Sequence, residues 1–235
     1  MVSADSSPMQ IRILTTLAEL ATVNDVFAEV WGEGSPEMPL DLLRAMSHAD
    51  GYVAGAFDGD RMVGASFGFL AIHHGELSLH SHVTGVVSAA RGLHVGTALK
   101  EHQRDWARER GVAAITWTFD PLVRRNAWFN LGRLGARPVD YLVDFYGDLG
   151  DEINAGDESD RLLVRWDVAA PVASDAHPPE IGARVRTPDD IEDLRRSDPA
   201  QARAWRRRMR DDLLEVARQG RVVGFSRDGD YLIAP

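Results

Sequence analysis

Val83-Thr84-Gly85-Val86-Val87-Ser88-Ala89-Ala90-Arg91-Gly92-Leu93-His94-Val95-Gly96-Thr97-Ala98-Leu99 is the stretch on which the reading of this chain turns. Its first residues continue a β-rich run from Leu77 to Val87. Its last ones open a long amphipathic pattern, with Leu99, Gln103, Trp106 and Ala107 on one side and charges on the other, until Gly111. A strand therefore enters a helix through a glycine-bearing loop. Such a turn leaves the first helical N–H groups unpaired and pointing outward, with the positive end of the helix dipole behind them. That arrangement can cradle a pyrophosphate. As a bare glycine pattern it reads equally well as a tight strand-to-helix connection.

Working outward, Gln10 to Leu14 alternates as a short strand, and Thr16 stands three residues before Glu19 in a capping-box spacing. The helix this announces carries Leu17, Leu20, Val23, Phe27, Val30 and Trp31 at three- and four-residue intervals and ends at Gly32 and Gly34. Pro39 opens a second helix that Gly51 closes. Tyr52 to Phe57 and Met62 to Leu70 flank Asp58-Gly59-Asp60-Arg61 as a hairpin. After the long helix come a strand at Ala113 to Phe119, a break at Asp120-Pro121, a helix at Arg124 to Leu134, and strands at Val139 to Tyr146 and Leu162 to Val168. Ala169 to Pro179, AAPVASDAHPP, has the composition of a semi-extended linker. Beyond it lie a strand at Ala183 to Arg186, a helix at Pro199 to Gln219 and the hairpin pattern RVVGFSRDGDYLI.

Composition removes several classes of protein. With 235 residues and 44% apolar side chains the chain can bury a sizeable core. The 26 basic residues against 36 acidic ones leave a net charge of −10, which repels a phosphate backbone. Cysteine is absent, so disulfides, thiolate metal sites and a cysteine nucleophile are excluded, and a reducing, cytoplasmic location is expected. The start MVSADSSPMQ lacks the pattern of a signal peptide, and no eighteen apolar residues run together, so no membrane partner is expected.

The segment Arg91-Gly92-Leu93-His94-Val95-Gly96 resembles the acetyl-CoA motif of the GNAT superfamily of N-acetyltransferases, Arg/Gln-x-x-Gly-x-Gly/Ala. His94 stands where the first motif glycine is expected, and Gly96 keeps the second. The element order over residues 10 to 168 is similar to that fold, and LHSHV (79–83), ALKEHQRDWA (98–107), TWTFDPLVRRNAWFNLGRLGA (116–136) and SDRLLVRW (159–166) look like a little-characterised branch of predicted acetyltransferases. The resemblance implies an α/β GNAT fold, with a mixed central sheet splayed around a CoA cleft. It also implies that Val86, Arg91, Gly92, His94, Val95, Gly96 and Thr97 line the cofactor, and that Asn126 and Asn130 flank the pantetheine arm.

Acyl transfer needs a neutral amine, a route for its proton, donors for the oxyanion and a proton for the departing thiolate. His80 and His82, two apart on one strand, face one way and titrate near neutrality, so both are candidate bases, with His82 nearer a bulge expected at Thr84-Gly85-Val86. Core histidines are the plainer reading of the pair. His73 and His74 add a second pair, but no carboxylate sits at ligand spacing, so no metal is expected. Asn126 and Asn130 are i, i+4 on one helix face. Arg124 and Arg125 beside them are candidates for a CoA phosphate or for plain solvation. Many family members carry an acidic tyrosine four residues before the glycine that ends this helix; counting back from Gly135 gives Leu131. On the last helix, Trp205, Met209 and Leu213 make a buried stripe, and the arginines at 206, 207, 208 and 210 are expected to pair locally with Asp211, Asp212 and Glu215.

These readings converge on an acyl-CoA-dependent N-acyltransferase, using acetyl-CoA as donor and a small-molecule or peptide amine as acceptor, with a homodimer possible and nucleic acid not a partner. The competing reading is a CoA-binding module without transferase activity. The expected domains are 1–168 for the acyltransferase, 169–179 for the linker, and 180–235 for a small C-terminal α+β extension docked through Trp205, Met209 and Leu213.

Overall fold

The computed structural model describes residues 9–32, 38–147, 157–169 and 180–235. They fall into two compact units, Met1–Ile115 and Thr116–Pro235.

The first unit holds an antiparallel ladder in the order β1 (Gln10–Ile13), β2 (Tyr52–Asp58), β3 (Arg61–His73) and β4 (Glu76–Val86). Between β1 and β2 run α1 (Leu17–Trp31) and α2 (Leu40–His48). The capping box forms as expected: Glu19 N–H donates to Thr16 Oγ1 (3.3 Å) and Thr16 N–H to Glu19 Oε2 (3.1 Å). The apolar stripe of α1 then buries Leu20, Val23 and Phe27 with Leu43, Val53, Phe67 and Leu99 in one core. Each such side chain contributes about 1.5–3 kcal/mol on burial. After β4 the chain makes a single 3₁₀ turn at Ser88–Ala90 and enters α3 (Val95–Glu109). Two glycines bring the helices close to the sheet. A Cβ on Gly85 would lie 3.1 Å from the Trp31 ring of α1, and one on Gly64 would lie 3.1 Å from Val95 Cγ1 of α3.

In the second unit β5 (Ala114–Phe119), which begins just before the boundary, leads into α4 (Arg124–Ala127). The expected single helix at Arg124 to Leu134 is instead α4 followed by a π-helical turn, Trp128–Arg133. Here Gly132 lies against the Trp128 ring, where a Cβ would sit 2.4 Å away. The strand expected at Val139 to Tyr146 is β6 (Arg137–Leu142), since 143–146 form turns, and it pairs antiparallel with β7 (Arg161–Asp167). The strand order is β5-β7-β6. A separate sheet, β8-β10-β9, is formed by β8 (Ala183–Arg186), β9 (Arg221–Phe225) and β10 (Asp230–Ala234). Two helices precede β9. α6 (Pro199–Gln219) matches the expected span, whereas α5 (Ile191–Ser197) was not anticipated; it is capped by Asp190, whose side chain accepts Asp193 N–H at 3.0 Å.

The compact units divide inside β5, not at the linker, of which all but Ala169 lies outside the described residues. Residues 180–235 share a unit with 116–169, and a buried charge cluster joins them. Arg206 of α6 donates from two nitrogens to Asp120, at 2.9 Å each, and to Asp157 at 2.9 Å, while Arg195 of α5 reaches Asp120 (2.5 Å) and Asp157 (3.2 Å). Burial alone would raise the Asp120 pKa, but the two guanidiniums outweigh it and hold the carboxyl ionised well below its ordinary range. Arg210 likewise pairs with Asp160 (2.7 Å) and with Glu158. This corrects the expectation of local pairing on α6, where Arg208 with Asp212 is an i, i+4 pair but Arg206 and Arg210 reach far along the chain. In the stripe, Met209 and Leu213 are buried, Trp205 is half-buried, and Arg206 is buried more fully than Trp205.

Candidate functional site

The candidate site of the first unit is built on β4 and the turn after it. Pairing of β3 with β4 runs regularly through Gly64↔Val86, Ala65↔Gly85, Ser66↔Thr84 and Phe67↔Val83, then steps to Gly68↔Ser81. The bulge is therefore at His82, which has no partner across the ladder, and not at Thr84-Gly85-Val86. Gly85 marks the close approach of Trp31 rather than a bulge. Even so, His80 and His82 remain on one face. Their ring centroids are 6.2 Å apart, with Phe69 at 5.2 Å from His80 and Phe67 at 6.0 Å from His82.

Burial among these rings pushes His80 down to about 4, and the nearby charges of His82, Lys100 and His73 push the same way. His82, the more exposed of the two, is lowered by desolvation. Both imidazoles are thus neutral at pH 7 and able to accept a proton; His80 is the weaker base.

Beyond Val86 the loop is exposed from Arg91 to His94. Gly92 takes φ +85° and His94 takes φ +63°, so the histidine holds a left-handed conformation that glycine adopts freely. Its side chain makes no capping bond to α3. The first intrahelical bond of α3 runs from Ala98 N–H to His94 O (3.0 Å), which leaves the amides of Val95, Gly96 and Thr97 ahead of it without intrahelical acceptors. Val95 turns its side chain into the core, so only its backbone faces the turn. The exposed, left-handed turn with these amides at its end suits an anionic phosphate group.

Lys100, two turns into α3, was not singled out by the sequence patterns. It is buried, and its Nζ donates to Ser81 Oγ on β4 (2.7 Å) and to Gln103 Oε1 (3.2 Å). Burial lowers its pKa to about 7.

In the second unit Asn130 is buried in the π-helical turn, and its Oδ1 accepts Trp117 Nε1 of β5 at 3.1 Å; Asn126 is half-buried. The change from α to π winding falls between the two asparagines, so their i, i+4 spacing does not have the geometry of a regular α-helix. Arg124 and Arg125 face other work than solvation. Arg124 donates to Thr187 O (2.8 Å) and pairs with Asp189 (2.9 Å), while Arg125 pairs with Glu192. Leu131, at the position counted for a tyrosine, is buried. Of the four tyrosines, Tyr52, Tyr141 and Tyr231 are buried and hydrogen-bonded, and Tyr141 gives its hydroxyl to Asp160 at 2.6 Å. Tyr146 is the exposed one, its hydroxyl 3.1 Å from Thr118 Oγ1 of β5. Among the described residues no three His, Asp or Glu side chains gather as metal ligands, and no helix is long and apolar enough to cross a membrane.

The mixed α/β, mostly antiparallel architecture matches that of GNAT acetyltransferases. This is the GNAT fold. The ribosomal-protein-S18-alanine N-acetyltransferase of Escherichia coli superposes with a TM-score of 0.54 at 12% identity, covering 72% of this chain and 99% of its own. Salmonella typhimurium yncA, solved with its cofactor acetyl-CoA, gives 0.54 at 16% identity, covering 73% and 100%. Arabidopsis thaliana Naa50, in complex with the bisubstrate analogue CoA-Ac-MVNAL, gives 0.52 at 18%, covering 68% and 98%. These proteins are covered almost completely, so part of this chain has no counterpart in them. No family model and no curated protein matches the sequence.

Proposed function

We propose that this chain is an acyl-CoA-dependent N-acyltransferase that moves an acetyl or similar acyl group to a primary amine by direct attack. The observation that carries this reading is the amide cradle at Arg91–Thr97, which follows a bulged β4 in a fold whose solved neighbours include complexes with acetyl-CoA and with a CoA-peptide analogue. Bound there, acetyl-CoA supplies the activated acyl group. The amides of Val95, Gly96 and Thr97 and the dipole of α3 hold its pyrophosphate, with Arg91 beside them, and Gly92 and His94 set the turn. Val86 ends the strand along which the pantetheine arm lies. His82 accepts the proton of the incoming amine, directly or through water, with His80 as its neutral neighbour. No cysteine is present to form a thioester on the enzyme, so the amine attacks the donor itself. The acceptor is a peptide or small-molecule amine.

Thermal shift tests the cradle first. Acetyl-CoA is expected to raise the melting temperature by mass action, and Gly96→Trp to abolish that shift. A well-folded Gly96→Trp protein that binds acetyl-CoA as the parent does would show the cradle to be elsewhere. Saturable release of CoA with a panel of amines then tests transfer. His82→Ala is expected to lower the rate by about 10²–10⁴ with acetyl-CoA affinity unchanged, and wild-type rates in that variant would remove His82 from the reaction.

A further inference from the structure

Of the 26 lysines and arginines in this chain, one is a lysine, Lys100, and it is buried in the first unit, as is Arg104 one turn further along α3. Arginine is the usual choice for a buried cation, being more weakly hydrated and always charged; lysine differs in that it can give up its proton near neutrality. The placement is specific. Lys100 sits on α3, whose N-terminus is the cradle, and its Nζ is 2.7 Å from Oγ of Ser81, the residue preceding the unpaired His82 at the bulge. The amine therefore reaches β4 where the strand departs from its ladder. The transferase reading lacks a proton source for the leaving group, because Leu131 stands where a tyrosine is expected.

We propose that Lys100 is a catalytic residue of this transferase, the donor that protonates the departing CoA sulfur, directly or through the Ser81 hydroxyl. The inference rests on the N-acyltransferase reading and adds a residue to it. The acceptor nitrogen attacks the thioester carbonyl and a C–N bond forms. When the tetrahedral adduct collapses, the C–S bond breaks with its electron pair on sulfur, and the sulfur takes a proton from the Lys100 ammonium. The acceptor nitrogen loses its own proton through His82 to water, and Lys100 recovers one from water, so amine and thioester become amide and thiol. A buried ammonium close to pH 7 in its titration suits this exchange. Within the unit the titratable or charged groups about it are His80 of β4, which feels its charge, and Arg104 on α3, while Tyr52 of β2 is engaged with His102.

A chain with one lysine gives a single ε-amine signal, so labelled lysine reports on Lys100 without assignment. In the wild-type protein its NMR titration is expected near pH 7, and to move up by about one unit or more with CoA but not with desulfo-CoA, because only CoA brings a sulfur anion. By calorimetry at pH 8, CoA is expected to bind about tenfold tighter than desulfo-CoA, and Lys100→Met to equalise the two while leaving desulfo-CoA within about twofold of the parent. In turnover, Lys100→Met and Lys100→Arg are both expected to lower kcat by about 10² or more with KM for acetyl-CoA unchanged, since a guanidinium keeps the charge but does not release its proton. A CoA preference that survives in Lys100→Met, a lysine signal blind to the sulfur, or a rate restored by arginine would each overturn the assignment. Wild-type protein that binds neither ligand would instead remove the cradle, and the Lys100 role with it.

Discussion

Each unit buries cations, and the two treat them in opposite ways. In the second unit Arg195 and Arg206 meet Asp120 and Asp157, so two positive and two negative groups share one dry cluster. Burial disfavours the Arg206 charge, but the carboxylates overcome it and keep the guanidinium charged beyond its normal range. In the first unit Lys100 donates to the Ser81 hydroxyl and the Gln103 amide oxygen, and burial brings its pKa to about 7. The first arrangement fixes protonation and locks the segments just after β5 and just before β7 to α5 and α6. The second leaves protonation close to balance, which is a property of groups that exchange protons.

Breaking the lock is expected to have the largest effect. Arg206→Met leaves Asp120 and Asp157 with one guanidinium between them and is expected to cost about 3–5 kcal/mol, read from the denaturant midpoint. Little change would mean that the cluster is hydrated in solution. Lys100→Met is expected to go the other way. A lysine whose folded pKa lies below its unfolded one destabilises the fold in full below about pH 7, and the penalty shrinks as pH rises toward 10.5. The methionine variant should therefore gain roughly 3 kcal/mol at pH 6 and progressively less in alkali, and an equal gain at pH 6 and pH 10 would show that burial of the charge is not the cause. His80 sharpens the same point on the acid side. Its folded pKa of about 4 lies below the ordinary 6.5, so its contribution is present above pH 6.5 and lost as pH falls through 4. His80→Phe is expected to flatten the decline in melting temperature between pH 6.5 and 4. The smallest effect concerns the cradle: His94→Gly relieves a left-handed side chain, offset by chain entropy, and should change stability by less than about 1 kcal/mol in either direction with acetyl-CoA binding kept.

The same contrast explains what the sequence disclosed. The turn at Arg91 to His94, the capping box at Thr16 and the hairpin at Asp58 to Arg61 are made by residues within a few positions of one another, and their spacing is their signature. The ion cluster joins residues 38 to 86 positions apart, so nothing local to Arg206 tells Asp120 from the nearby Asp211 as its partner. Local pairing on α6 was expected for that reason, and Arg124 and Arg125 were read as cofactor or surface residues when their partners lie at Thr187, Asp189 and Glu192. The bulge was expected at Thr84-Gly85-Val86, whereas Gly85 there serves the close packing of Trp31 and the register slips at His82. α5 escaped because seven residues carry too little periodicity, though Asp190 before it and Pro199 after Asp198 are its punctuation.

A described surface without lysine has a chemical consequence for the proposed transferase. Thioesters acylate neutral amines unaided, and surface ε-amines beside a bound donor are the ordinary victims. Here every cationic side chain other than Lys100 is an arginine, and Lys100 is 4% exposed, so no ε-amine lies on the described surface. On the proposed transferase reading, the protein therefore offers a bound donor no surface ε-amine to acylate, and its intact mass is expected to stay unchanged after long incubation with acetyl-CoA.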